Sequence, residues 1–345
     1  ARAMALLRMG RQTEAVAAGD AAVAAAGVAS ASSAATARAH WLRSLARRGV
    51  EQLQGALVDG RRSLAEFERL GDSSGQARAL WAVASCLIAQ GLMAEAQESA
   101  ARGLAFARAC GDHWALGSLL ALRGSLEGAD LAAKLRFTRE AQAAFAQAGY
   151  RDRLLDIEDS LSSTFHNLGL RERSLRTRLQ MAREARAMQA DRVLLRGLGS
   201  SASTAAALGR FDEARRSLAE AEALQARLCL PQGDDWLWQW RVEIAYAEGS
   251  AEQALRLLRP ARAALNEKSD LADRLLTPTY LAWALLALGR PRAALRESTA
   301  ATALHRQIGL DWSFGGSSAL LWWQHSRALA ACGHADDAWA ALRQA

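Results

Sequence analysis

Three short patterns in the chain carry residue types that could do chemistry. Gly71-Asp-Ser73-Ser-Gly75 matches G-x-S-x-G, in which a serine on a tight turn serves as nucleophile. That chemistry needs a strand before the serine, a helix after it and a histidine base. Here the segment reads as a turn between helices. Gly197-Leu-Gly199-Ser-Ser-Ala202, with Glu220 and Glu222 further on, resembles a dinucleotide fingerprint. Its glycines admit a pyrophosphate only between a strand and a helix, and these residues fall within a helical stretch. The six histidines, at 40, 113, 166, 305, 325 and 334, have no metal-ligand spacing, and even His325 and His334 are nine residues apart. Cysteines at 86, 110, 229 and 332 give neither a zinc spacing nor a disulfide framework, so a reducing, cytoplasmic compartment is expected. Asp234-Asp235 and Asp336-Asp337 stand at expected helix starts, where capping and the helix dipole account for acids. No Walker A lysine motif occurs. The sequence therefore predicts no catalytic, cofactor or metal site.

Charge and aromatic content bear on binding instead. Basic minus acidic residues is 43 − 36 = +7, and only Lys134 and Lys268 are lysines. A basic balance permits an acidic or nucleic-acid partner. Arg171 to Arg186 holds six Arg and two Glu, but spread around the helix, as on a solvated face. Arginine is not expected to recur at a fixed repeat position, and nucleic acid is therefore not expected as a partner. The longest uncharged stretch, Ala21 to Ala37, is Ala, Ser and Gly, too weakly apolar for a membrane span or a signal peptide. Tryptophan stands out: 11 Trp against 3 Tyr and 7 Phe, eight of them at or beyond Trp236.

The elements that must position these residues are helices. Ala dominates, strand-favouring residues are scarce, and there are 4 Pro against 26 Gly. A glycine followed five residues later by a small residue recurs: Gly10, Gly91, Gly169, Gly209, Gly249, Gly289 and Gly333, with Ala15, Ala96, Ser174, Ala214, Ala254, Ala294 and Ala338. Gly209, Gly249 and Gly289 are each 40 residues apart, and Gly49 and Gly124 fill the gaps less cleanly. Each unit reads as two helices, the glycine closing the first. Gly71-Asp72, Gly111-Asp112 and Gly309-Leu-Asp311 read as the end of a second helix and the cap of the next.

Seven residues before the anchors stand Ala84, Ser162, Ala202, Ala282 and Ser326, and twelve after stand Ala22, Ala221, Ala261, Ala301 and Ala345. With these columns in register the chain resembles the tetratricopeptide repeat (TPR) family over essentially its whole length. It departs from the family in lacking the helix-ending proline and in a period nearer 40 than 34. The longer period is similar to that of repeats in bacterial signalling proteins: sensor arms of ATP-dependent transcription regulators, nucleotide cyclases and sensor kinases. The resemblance implies an all-α, right-handed α-α superhelix of about nine helical hairpins. We expect residues 1–345 to form one array, as a piece of a longer multidomain protein. Trp339 and Leu342, on an amphipathic final helix, are expected to need cover.

In this family the first helix of each unit lines a concave groove. The column six before each anchor should then face it: Arg43, Ser85, Ser163, Ser203, Glu243, Trp283 and Arg327. Trp81, Trp114 and Trp323, ten before, and Trp236, thirteen before, take neighbouring positions, while Trp238 and Trp322, eleven before, are core. Exposed Trp with Arg is the composition of binding hot spots. The candidate groove residues are Trp81, Trp114, Trp236, Arg43, Glu243, Trp283, Trp323 and Arg327. For each ring the alternative role is to fill gaps left by an Ala-rich core. The expected function is a non-catalytic protein-protein interaction and signal-input scaffold in a larger bacterial signalling protein. Its partner is a protein, a peptide or a neighbouring domain of the same polypeptide. The alternative is a small-molecule or peptide sensor with its ligand in the Trp-rich C-terminal groove.

Overall fold

The computed structural model describes residues 2–8, 11–28, 34–127, 130–228, 237–266, 269, 271–308 and 318–345. These are mainly helical, with no strand among the described residues. They group into two compact units. The first comprises Ala1–Leu126 and Arg136–Tyr150. It contains α1 (Arg2–Arg8), α2 (Gln12–Val28), α3 (Ala34–Gly49), α4 (Leu53–Leu70), α5 (Ser73–Ala89), α6 (Met93–Cys110), α7 (His113–Leu126) and most of α8 (Leu131–Gln147). The second comprises Glu127–Leu135 and Arg151–Ala345. It contains α9 (Arg151–Asn167), α10 (Arg171–Ala187), α11 (Asp191–Ala207), α12 (Phe211–Leu228), α13 (Leu237–Ala247), α14 (Ala251–Ala264), α15 (Leu271–Ala287), α16 (Pro291–Ile308), α17 (Ser318–Ala331) and α18 (Ala335–Leu342). The helices pair in order into hairpins, so the fold class is the expected all-α, TPR-like solenoid.

The hairpin turn follows from one backbone requirement. Gly209 takes φ 74°, where a Cβ would be strained. Its N–H donates to the Ala206 carbonyl (2.9 Å) and the next N–H, of Arg210, reaches back to Ala205 (2.9 Å). These bonds satisfy carbonyls that the end of α11 leaves open. Gly91, Gly169, Gly249, Gly289 and Gly333 share the positive φ. Two expected anchors behave differently. Gly49 is the last residue of α3, and Glu51 takes the left-handed position instead (φ 59°). Gly124 lies buried inside α7, two residues before its end. Gly10, Gly309 and Asp311 lie outside the described residues.

The small residues sit at the helix crossings. Ala84, Ser162, Ala202, Ala282 and the series Ala15, Ala96, Ser174, Ala214, Ala254 and Ala294 are fully buried. Twelve after the anchors, Ala221 and Ala301 are buried, Ala22 and Ala261 are half-buried and Ala345 is exposed. The two glycine patterns are explained by packing. Asp72 caps α5 by accepting from the Gly75 N–H (2.8 Å), and Gly75 leaves room for the Phe67 ring. Gly199 leaves room for the ring of Trp240.

Within each unit, first helices touch the first helices of adjacent hairpins: α3 with α5, α5 with α7, and α9 through α17 in sequence. Successive second helices are joined by ion pairs such as Arg61–Glu95 and Arg186–Glu220, but among the described residues their backbones do not approach as closely. A stack that is tighter on one side curves towards that side. The first helices therefore form the inner face of each unit.

Candidate functional site

In the first unit, side-chain chemistry on the inner face is largely satisfied internally. Arg43 of α3 donates from Nε and Nη2 to Asp59 of α4 (2.8 and 2.6 Å) and from Nη1 to Asp20 (3.1 Å). Arg47 (2.9 Å) and His40 (3.2 Å) meet the same Asp59, which is fully buried. The Asp59 hydrogen bond raises the Arg43 pKa against the effect of burial. Arg43 is thus a lock between helices and not the open groove contact expected. A buried carboxylate must be paired, and this one is held by two guanidinium groups and an imidazole nitrogen.

Trp81 of α5 and Trp114 of α7 are half-buried against each other, with centroids 5.2 Å apart at 77°. Trp41 of α3 meets Trp114 edge-on at 5.8 Å. Arg78 stacks over Trp114 (5.4 Å) and donates from Nε to Asp112 (2.7 Å). Burial alone would raise the Asp112 pKa, but hydrogen bonds from Arg78, Ser74 and the Ala115 N–H hold it below the usual range. These rings cover one another more than they face solvent.

The second unit presents a graded inner face. Near α9 it is ionic: Arg196 of α11 bridges Asp156 (2.5 Å) and Asp159 (3.0 Å). Arg178 of α10 reaches in from the second-helix side and is buried. It donates to Ser162 Oγ (3.1 Å), Ser163 Oγ (3.2 Å), the Ser200 carbonyl (2.7 Å) and the Thr204 hydroxyl. Burial, together with the cations Arg178 and Arg171, lowers the His166 pKa to about 4, so this imidazole is neutral.

At α13 the face becomes mixed. Glu243 accepts from Gln239 (2.9 Å) and, at 3.4 Å, from the Tyr280 hydroxyl of α15. Glu243 keeps some solvent contact, yet desolvation pushes its pKa up against hydrogen bonds from Ser203, Gln239 and Tyr280. Partial removal from water disfavours the charged carboxylate, and the neighbouring donors offset only part of that cost.

From α15 to α17 the face is aromatic. Trp283 was expected in the open groove, but it is only 8% exposed. Tyr246, from the neighbouring first helix, covers it at 4.7 Å and also contacts Tyr280 at 5.8 Å. Trp322 is buried, and Trp238 packs half-buried against the core that holds Trp283. Trp323 is 40% exposed, with the Arg327 guanidinium stacked 4.9 Å over its ring. Trp236 lies outside the described residues. Trp339 and Leu342 of α18 are exposed.

The structure thus joins Trp323 to Arg327, and Trp81 to Trp114, and links Glu243 to Trp283 through Tyr280 and Tyr246. Tyr246, Tyr280 and Gln239 were missed in the sequence. Their signal was position: three before Gly249, nine before Gly289 and ten before Gly249, on the same helix faces as the groove column. Among the described residues no cluster of His, Cys, Asp or Glu could hold a metal ion. Among the described residues no helix is long and apolar enough to cross a membrane.

No protein-family model matches the chain, and no curated protein matches it in sequence. Solved structures do resemble it. A Rap protein complexed with Competence and Sporulation Factor aligns with TM-score 0.67 at 12% identity, covering 80% of this chain and 76% of that one. NprR in complex with its cognate peptide NprX aligns with TM-score 0.59 at 12% identity, covering 88% and 83%. At such identity the likeness is one of fold.

Proposed function

We propose that this chain is a non-catalytic interaction scaffold that holds an extended peptide, or an extended segment of a partner protein, on the inner face of its second unit. The observation that carries this reading is the exposed Trp323–Arg327 stack of α17, on the same row of first helices as the half-buried Glu243 of α13. A large rigid ring and a planar cation at solvent match the residue types that dominate binding energy. The graded face suits a chain with an apolar, aromatic-contacting part near α17 and a polar part near α11 and α9. The fold supports it, since NprR was solved with its cognate peptide. We read residues 1–345 as one repeat array serving as the input or scaffolding arm of a larger cytoplasmic bacterial signalling protein.

The test is selection of binders from a random peptide library, followed by affinity measurement against Trp323→Ala and Arg327→Ala. Both side chains are exposed, so melting temperature should hardly move, while affinity should fall by at least about 2 kcal/mol at a hot spot. Peptides that bind both variants as well as the parent would sink the proposed site.

A further inference from the structure

The second unit has one further feature, at the start of α16. A cleft of about 630 Å³ opens between the start of α16 and the α17–α18 turn. It is lined by Pro291, Arg292, Leu295, Arg296 and Thr299 on one side, and by Ala331, Cys332 and His334 on the other. The volume is that of a small-molecule pocket. No carboxylate lines it among the described residues.

Comparison of the repeats shows what is unusual there. Contrary to the expectation from sequence, four consecutive second helices share an arginine seven residues after the anchor glycine: Arg176, Arg216, Arg256 and Arg296. In the first three an acid stands one turn earlier, at Glu172, Asp212 and Glu252. That acid complements the positive end of the helix dipole, although Glu172 pairs with Arg210 and Asp212 with Arg215 and not with the arginine one turn on. In α16 that acid is replaced by Arg292. Among α10, α12, α14, α16 and α18, only α16 has no acid in its first turn. A cation there is opposed by the dipole, so helix stability does not account for it. Neither Arg292 nor Arg296 has an acidic partner among the described residues, and both are exposed. His334 opposes them with its side chain unused as a cap for α18. Asp336 and Asp337 follow in the first turn of α18 but do not line the cleft.

We propose that this cleft binds a phosphate-bearing small molecule. The guanidinium forks of Arg292 and Arg296 suit phosphate oxygens. His334 and the Thr299 hydroxyl can add donors. Pro291, Leu295 and Ala331 provide an apolar wall for the rest of the ligand. This inference is independent of the peptide groove.

The probes are ATP and inorganic pyrophosphate, titrated calorimetrically into the full chain at low salt. Saturable binding of either is expected, weakened at least tenfold by Arg292→Glu and by Arg296→Ala, and unchanged by Arg256→Ala, the equivalent arginine one repeat earlier. Arg292→Glu restores the acid that the sister repeats carry. It should therefore melt at or above the parent temperature, which separates loss of binding from loss of fold. No saturable binding of either probe at about 1 mM, or binding indifferent to Arg292→Glu, would overturn the proposal.

Discussion

At the scale of single residues, two positions show how packing overrides local preference. Gly199 sits inside α11, where alanine would favour the helix by about 1 kcal/mol. A Cβ there would stand 2.0 Å from the Trp240 ring, with two further ring atoms at 2.2 Å. Trp240 is itself buried and has nowhere to retreat. Overpacking of this kind costs about 1–3 kcal/mol, so Gly199→Ala should destabilise despite the propensity gain. An unchanged urea midpoint would show that the ring does not seat there. His166 gives a pH prediction. Its folded pKa of about 4 lies below the unfolded value near 6.5. Between those values the unfolded chain takes up a proton that the fold excludes. Stability from this group is therefore full above pH about 6.5 and lost as pH falls towards 4, by at most about 3 kcal/mol. The raised pKa values of Glu158 and Glu243 act in the opposite sense over acid pH. Only the comparison with His166→Gln isolates the histidine, and the variant should lose less stability than the parent on acidification across that window. Parallel pH profiles would refute the assignment.

At the scale of elements, the hairpin was legible because each anchor is a constraint on one residue. A positive φ selects glycine, and a close crossing selects alanine, wherever the chain repeats them. Ala254 illustrates the second: it is fully buried where α14 crosses its partner helix. Ala254→Leu should cost about 1–3 kcal/mol, whereas Ala261→Leu, at a half-buried position, should cost less; equal melting temperatures for the two would count against the register. What the sequence hid was the cover over each groove residue. Trp283 is closed by Tyr246, which stands 37 residues earlier, and Arg43 is drawn in by Asp59 from the following helix. A periodic column names the face on which a side chain starts. The neighbouring element, which the column does not contain, decides whether solvent or another ring meets it. Gly49 misled for a related reason, since α3 runs through to it and the turn conformation passes to Glu51.

At the scale of the whole molecule, the +7 charge has a pattern that bears on partners. Many arginines are tied to acids one repeat away: Arg61 to Glu95, Arg102 to Glu68, Arg186 to Glu220, Arg215 to Glu248 and Arg262 to Glu297. Each exposed pair contributes little stability, about 0–1 kcal/mol, but together they break up what could have been a continuous basic stripe. A polyanion needs several unpaired cations along its path, because each neutralised phosphate contributes to both affinity and salt dependence. If Arg292 and Arg296 alone engage such a ligand, the slope of log K against log salt should lie between about −1 and −2. Oligonucleotide binding should then be weak and lost at physiological salt, for single and double strands alike. The check is a fluorescence-anisotropy titration of labelled oligonucleotides across a salt series. Sub-micromolar, sequence-dependent binding at physiological salt, with a steep slope, would mean that the dispersed arginines act together, and would make nucleic acid a partner.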